Sequence, residues 1–256
     1  MVFPVIFHIA GFAVHAHQIF ELAGYAVGTQ LLIFFGKRMP GPKLDFEQGT
    51  LIVLGCLVGA LIGSRLLAFV ESIHTYWPLL DEPQLFFDGK TIAGGLAGGW
   101  AGVEMVKWSL GIRRSTGDRF VFPILIGIAI GRIGCFLEGL PDHTYGIATS
   151  LPWGVDFGDG VRRHPTQLYE SLFCLLLAGA IWVRMRRPWR CGELFRFCML
   201  GYFAWRFCVE FIKPRETYGG LSPIQMTSLA VVVISIISLR RLRVTEPFPD
   251  KETIHA

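Results

Sequence analysis

Charged residues are scarce in this sequence: Asp, Glu, Lys and Arg make up 17% of its 256 residues, against about a quarter in soluble domains. With 52% hydrophobic residues and a mean hydropathy of +0.48, too little polar surface is left to cover a water-facing globule, which excludes a soluble domain. No CxxC pair occurs. The cysteines, Cys56, Cys135, Cys174, Cys191, Cys198 and Cys208, lie mostly in apolar context at spacings that fit neither a zinc motif nor a disulfide framework, so most read as packing residues and neither metal nor cofactor is expected. No basic run is interleaved with base-stacking aromatics, so the net charge of +4 carries no sign of a nucleic-acid partner. The opening stretch MVFPVIFHIAGF has no Lys or Arg and thus lacks the n-region of a cleavable signal peptide; the mature chain is expected to begin near Met1.

What the chain does hold is a series of apolar stretches of bilayer-crossing length. Seven are expected, near residues 18–36, 49–70, 91–111, 120–138, 168–185, 193–212 and 222–239. The third is the weakest by hydropathy, because Glu104 and Lys107 fall inside it and its first half is mostly glycine and alanine; such low bulk points to a buried, closely packed helix. Basic residues follow alternate spans: Lys37, Arg38 and Lys43; Arg113, Arg114 and Arg119; Arg184, Arg186, Arg187 and Arg190; Arg240, Arg241 and Arg243. Asp81, Glu82 and Asp88 fall in an opposite connection. By the positive-inside rule the N-terminus is outside and the C-terminus cytoplasmic. The expected fold is all-α: a single polytopic membrane domain over 1–256 with about seven transmembrane helices, and a small extracytoplasmic cap from the longer outer loops near 71–90 and 139–167.

Several polar residues interrupt this apolar pattern. In GRIGCFLEGLPDHTYG, Arg132 ends an apolar run and is bracketed by Gly131 and Gly134. It reads either as a snorkelling arginine bonded to helix carbonyls or as a functional group, the default for an ionisable residue in a membrane; a planar five-donor fork suits a phosphate, which a lipid headgroup supplies at this depth. RRHPTQLYES places Arg163, His164, Gln167, Tyr169 and Glu170 at the mouth of the fifth span, with Pro165 suited to the first helical turn; the alternative there is an interfacial anchor, the better reading for Arg162. Arg206 and Glu210, at i and i+4, share one helix face, as a structural bridge or as part of a second arginine site.

These motifs, in order, resemble the prolipoprotein diacylglyceryl transferases. The resemblance covers nearly the whole chain and rests on FPVIFHIAGFAVHAHQ, GKTIAGGLAGG, GRIGCF, LPWGVDF with RHPTQLYES, RFCVEF and LSPIQMTSLA. It implies a seven-helix bacterial inner-membrane enzyme without a cofactor. Such an enzyme moves the diacylglyceryl group of phosphatidylglycerol, or of another anionic phospholipid, to the thiol of a lipobox cysteine in a lipoprotein precursor or to another acceptor. Under it Arg132 and Arg206 are the key arginines, with Glu210 and Tyr202 beside the second, His15 retained near the start, and Gly94 and Gly95 the paired glycines of the third span. The chain also departs from the pattern. Ala93 stands where members carry a histidine often given a base role, Cys135 and Glu138 replace asparagines, and His17 replaces a tyrosine.

The implied reaction is an S-alkylation: a thiol loses its proton, attacks a glyceryl carbon and expels a phosphate monoester. Arginine stabilises both the thiolate and the leaving phosphate. With Ala93 unable to take a proton, His164, His143 and His17 are the candidate bases, the first two preferred because they flank the polar outer loop; Cys135 is a further candidate, as a covalent acceptor. The expected catalytic set is therefore Arg132, Arg206, Glu210, His164 and His143. The substrate-binding set is Gly131, Gly134, Cys135, Glu138, Arg163, Gln167, Tyr169, Glu170, Tyr202, His15, His17, Gly94 and Gly95. A non-catalytic protein that binds or translocates lipid is the alternative, favoured by Ala93.

Overall fold

A computed structural model describes residues 2–9, 11–39, 41–42, 44–73 and 89–242. The expected acidic connection with Asp81, Glu82 and Asp88, and the basic residues Lys43 and Arg243, lie outside the described residues. Among those described, the helices are α1 Ala16–Arg38, α2 Phe46–Glu71, α3 Ile92–Ser109, α4 Val121–Glu138, α5 Thr166–Arg184, α6 Glu193–Val209 and α7 Pro223–Arg240. A helix thus stands at every stretch in which the sequence predicts a span. Five of them, α1, α2, α4 with the short turn before it, α5 and α7, are long and apolar enough to cross a membrane; α3 and α6 carry more polar or shorter sequence.

The surface is the reverse of a soluble protein's. On α2, Val53, Leu54, Leu57, Val58, Leu61 and Ile62 are all exposed, and on α7 so are Leu229, Val233, Ile234 and Ile237. Apolar belts of this extent need a hydrocarbon solvent, so the protein is a multi-pass membrane protein.

Local sequence starts the helices. Asp45 caps α2 by accepting from the Gln48 amide at 2.7 Å, Thr91 caps α3 through the Gly94 amide at 3.2 Å, and Ser222 with Gln225 closes a capping box on α7, with Pro223 at its first turn. Packing then follows small residues. Gly55, Gly59 and Gly63 of α2 face Gly102, Gly98 and Gly94 of α3, where a Cβ on any of these would run into a carbonyl or side chain of the other helix. The backbones meet at a seam that only glycine permits, which explains why α3 is poor in bulk. The charge in α3 is also accommodated: Lys107, 3% exposed, donates to Glu104 at 2.9 Å.

Helix α1 lies along α4, with Gly24 against the Gly127 carbonyl and Gly134 against His17 and Phe20; α5 docks on α4 through Ser171 Oγ donating to the Ala129 carbonyl at 2.8 Å. Asp118 tethers the opposite end of the bundle by accepting from the Gly192 and Phe195 amides that open α6, at 2.6 and 2.9 Å.

Two short hairpins, which hydropathy did not announce, add to the helices. Strands β1 Ile6–Ile9 and β2 Phe12–His15 pair antiparallel, with Gly11 in the turn at φ 84°, and β3 Val155–Asp156 pairs with β4 Arg162–Arg163. Phe3, Phe136 and Phe157 pack edge to face, joining the N-terminal hairpin and the 139–165 connection to the end of α4.

Candidate functional site

The arginines predicted from separate spans meet. Arg132 leaves α4 and Arg206 leaves α6, and both reach Glu170 on α5: Arg132 Nη2 is 2.9 Å and Arg206 Nη1 3.2 Å from Glu170 Oε2. Tyr202 donates its hydroxyl to the other oxygen, Oε1, at 2.7 Å, and Arg206 Nη2 bonds Glu210 Oε2 at 3.0 Å. Glu170 and Glu210 are each 1% exposed, Arg132 5% and Arg206 4%. Burial this deep requires charge balance, and the cluster has it, with two guanidinium charges against two carboxylates.

Glu170 stands about one turn into its helix, near the mouth where the sequence put it, with its side chain turned into the bundle. The helix begins at Thr166, and the 3.6-residue period turns Gln167, Glu170 and Ser171 inward while Leu172, Leu175 and Leu176 face out.

The cluster is not saturated. Nε of Arg132 and Nε of Arg206 are buried with no hydrogen-bond partner, as are both amide atoms of Gln167, one turn from Glu170. Each such orphan costs about 1–3 kcal/mol, so donors stand ready for a ligand with several acceptor oxygens. A Cβ on Gly131 would meet nothing within 4 Å, so the helix face beside Arg132 is open. Arg132 Nη1 also points at Cys135 Sγ, 3.8 Å away.

Lys213 adds to this charge set and was not singled out from the sequence. It follows the 3-10 turn Glu210–Ile212, is partly buried, and lies in the field of all four buried charges; burial first, then Arg206 and Arg132, push its ammonium down to about 8. Its signal was present: Arg206, Glu210 and Lys213 are spaced i, i+4, i+7 on one helical face.

The remaining predicted residues fall into separate groups. His15 Nδ1 lies 3.0 Å from Glu138 Oε1, pairing the N-terminal hairpin with the end of α4. His17 sits near Cys135 and Asp142. His164 turns to Tyr169, 3.3 Å from its hydroxyl, which accepts from Trp153 Nε1 at 2.7 Å. Arg163 bonds Asp159 at 2.6 Å and lies over the Tyr145 ring, and this partner holds the Asp159 carboxyl below the usual carboxylate range. Arg162 spends its guanidinium on the Gly154 and Pro152 carbonyls at 3.1 and 2.7 Å, pinning the loop. His143 is exposed, at φ 55° after the turn 140–142. Gly94 is part of the α2–α3 seam, Gly95 makes an ordinary contact with Ser64, and Ala93 is 1% exposed within the apolar core.

The family profile described as Prolipoprotein diacylglyceryl transferase matches residues 4–241. The chain belongs to the prolipoprotein diacylglyceryl transferase family. Among similar proteins, the phosphatidylglycerol--prolipoprotein diacylglyceryl transferase of Nitratidesulfovibrio vulgaris (strain DP4) is 31% identical over 235 residues, covering 86% of this chain and 85% of its own. Its namesake from Cupriavidus necator is 30% identical over 247 residues, 88% and 85% respectively. That of Bordetella bronchiseptica is 29% identical over 228 residues, 85% of each chain.

Proposed function

We propose that this protein transfers the diacylglyceryl group of phosphatidylglycerol to the thiol of a lipobox cysteine in a prolipoprotein. The observation that carries the proposal is the convergence of Arg132 and Arg206 on Glu170, with an unpartnered Nε on each and open space at Gly131. Two rigid forks with spare donors suit a phosphate diester better than a lone lysine does. In this reading they hold the headgroup phosphate, and Glu170, itself held by Tyr202, sets the angle between them. As the thiolate sulfur bonds to the glyceryl carbon, the carbon–oxygen bond breaks and the electron pair leaves with glycerol phosphate. The arginines, already in place and shielded from water, meet that charge without reorganisation. Lys213, at the edge of the cluster, adds a third cation.

The same reading places the protein in the bacterial inner membrane with seven spans, the N-terminus outside and the C-terminus in the cytoplasm, as the alternating basic connections support. The connection 139–165 and the first hairpin then form an extracytoplasmic cap carrying His143 and His164, the candidate bases in place of Ala93.

The test is turnover: purified protein in micelles, given phosphatidylglycerol and a lipobox peptide, releases glycerol phosphate and S-alkylates the peptide. Binding of the phospholipid with no release, for the wild type and for Ala93→His alike, would instead support lipid binding or translocation, the alternative that the buried Ala93 favours.

A further inference from the structure

Beside the arginine cluster, three side chains from distant parts of the sequence converge. His17 of α1, Cys135 of α4 and Asp142 of the following turn each offer one ligand atom, and the three atoms all lie within 4.8 Å of one another. Cys135 is buried and the other two are partly buried. Nδ1 of His17 is buried with no hydrogen-bond partner; the nearest carboxylate oxygen, Asp142 Oδ1, is 3.9 Å away, beyond hydrogen-bonding distance.

Each outer ligand has a support behind it. Glu21 Oε2 stands 3.6 Å from His17 Nε2, too far for a hydrogen bond but near enough for its charge to favour a proton on Nε2, which leaves the Nδ1 lone pair for Cys135 and Asp142. Thr144 donates its hydroxyl to Asp142 Oδ2, leaving Oδ1 as the oxygen nearer the histidine. A carboxylate behind the imidazole and a donor behind the carboxylate are the outer-shell partners that orient metal ligands.

We infer that His17 Nδ1, Cys135 Sγ and Asp142 Oδ1 form a binding site for a borderline divalent transition metal, zinc in the first instance. One nitrogen, one sulfur and one oxygen suit zinc, whereas magnesium and calcium require oxygen donors throughout. A thiolate and a carboxylate balance the dication. The guanidinium of Arg132, 3.8 Å from Cys135 Sγ, is partly offset by Glu170, which it shares with Arg206. Three protein ligands leave one tetrahedral position open.

That position has a use that rests on the proposed transfer reaction. A thiol ligating the metal gives its proton to water and becomes a thiolate at neutral pH, so an acceptor cysteine bound there needs no base at position 93. Its sulfur electron pair then forms the bond to the glyceryl carbon while the phosphate leaves toward Arg132 and Arg206.

The test begins with metal content, which is independent of turnover. Full-length protein purified in micelles, equilibrated with zinc and passed over a desalting column, retains about one equivalent of zinc, and cobalt substitution gives a thiolate-to-metal charge-transfer band. Cys135→Ser abolishes the band, and Glu21→Gln, which keeps every ligand, weakens affinity roughly 10–100-fold. No retained zinc, or the same zinc content in wild type and Cys135→Ser, overturns the site. For the role, a chelator suppresses glycerol phosphate release and zinc restores it. Undiminished turnover after zinc removal overturns the thiol-activating role and leaves the metal site standing. Retained zinc with no turnover under any condition overturns the transfer reaction instead.

Discussion

Replacing Glu170 by glutamine keeps the shape of the side chain and an acceptor for Tyr202 but removes the carboxylate that Arg132 and Arg206 share. Glu210 is then the one carboxylate still paired with these two arginines, which are 4–5% exposed. Breaking a buried pair by removing one partner costs about 3–5 kcal/mol. At roughly 2–4 °C per kcal/mol for a chain of this size, the melting temperature in neutral detergent should fall by about 6–20 °C. The direction of rescue distinguishes a lipid grip from a structural bridge. An anionic headgroup replaces the missing charge, so phosphatidylglycerol at about 100 times its Kd should return roughly 2.7 kcal/mol, a rise of about 5–11 °C, whereas phosphatidylcholine should return much less. The assay is thermal unfolding of wild type and Glu170→Gln in micelles doped with either lipid. A variant that melts within about 2 °C of wild type refutes the electrostatic interlock, and equal rescue by the two lipids refutes the headgroup site.

Arg132→Lys and Arg206→Lys should each lower turnover tenfold or more, about 1.4 kcal/mol of transition-state stabilisation, because an ammonium keeps the charge but not the fork; wild-type turnover in both would make the arginines structural. Lys213, with its ammonium pushed down to about 8, is charged below that pH and neutral above it, so KM for phosphatidylglycerol should rise as pH passes 8 in the wild type and stay flat in Lys213→Arg, whose guanidinium does not titrate. Gly98→Ala drives a methyl into the Gly59 carbonyl and should cost about 1–3 kcal/mol in thermal unfolding, while Gly36→Ala, with nothing within 4 Å, should cost nothing. A reporter fused after Ala256 should be active in the cytoplasm; activity only on the outer side reverses the proposed orientation.

The sequence by itself determined the helices and much of the chemistry. Hydropathy is a local signal, so a helix stands at each apolar stretch, and an arginine in an apolar run, such as Arg132 or Arg206, is conspicuous wherever the helices go. The glycine content of α3 announced close packing, though not its partner: that Gly98 meets Gly59 depends on how α2 and α3 cross. The tertiary structure alone decided which polar residues act together. Glu170 reads as one more polar residue near a helix start until α4 and α6 bring an arginine to each side of it, and Glu138, drawn to His15, joins a different group from Arg132 six residues before it. His17, Cys135 and Asp142 have no motif spacing at all, since ligand geometry is a condition on distances in space, and α1 meets the end of α4 only because Gly134 lets the two backbones close.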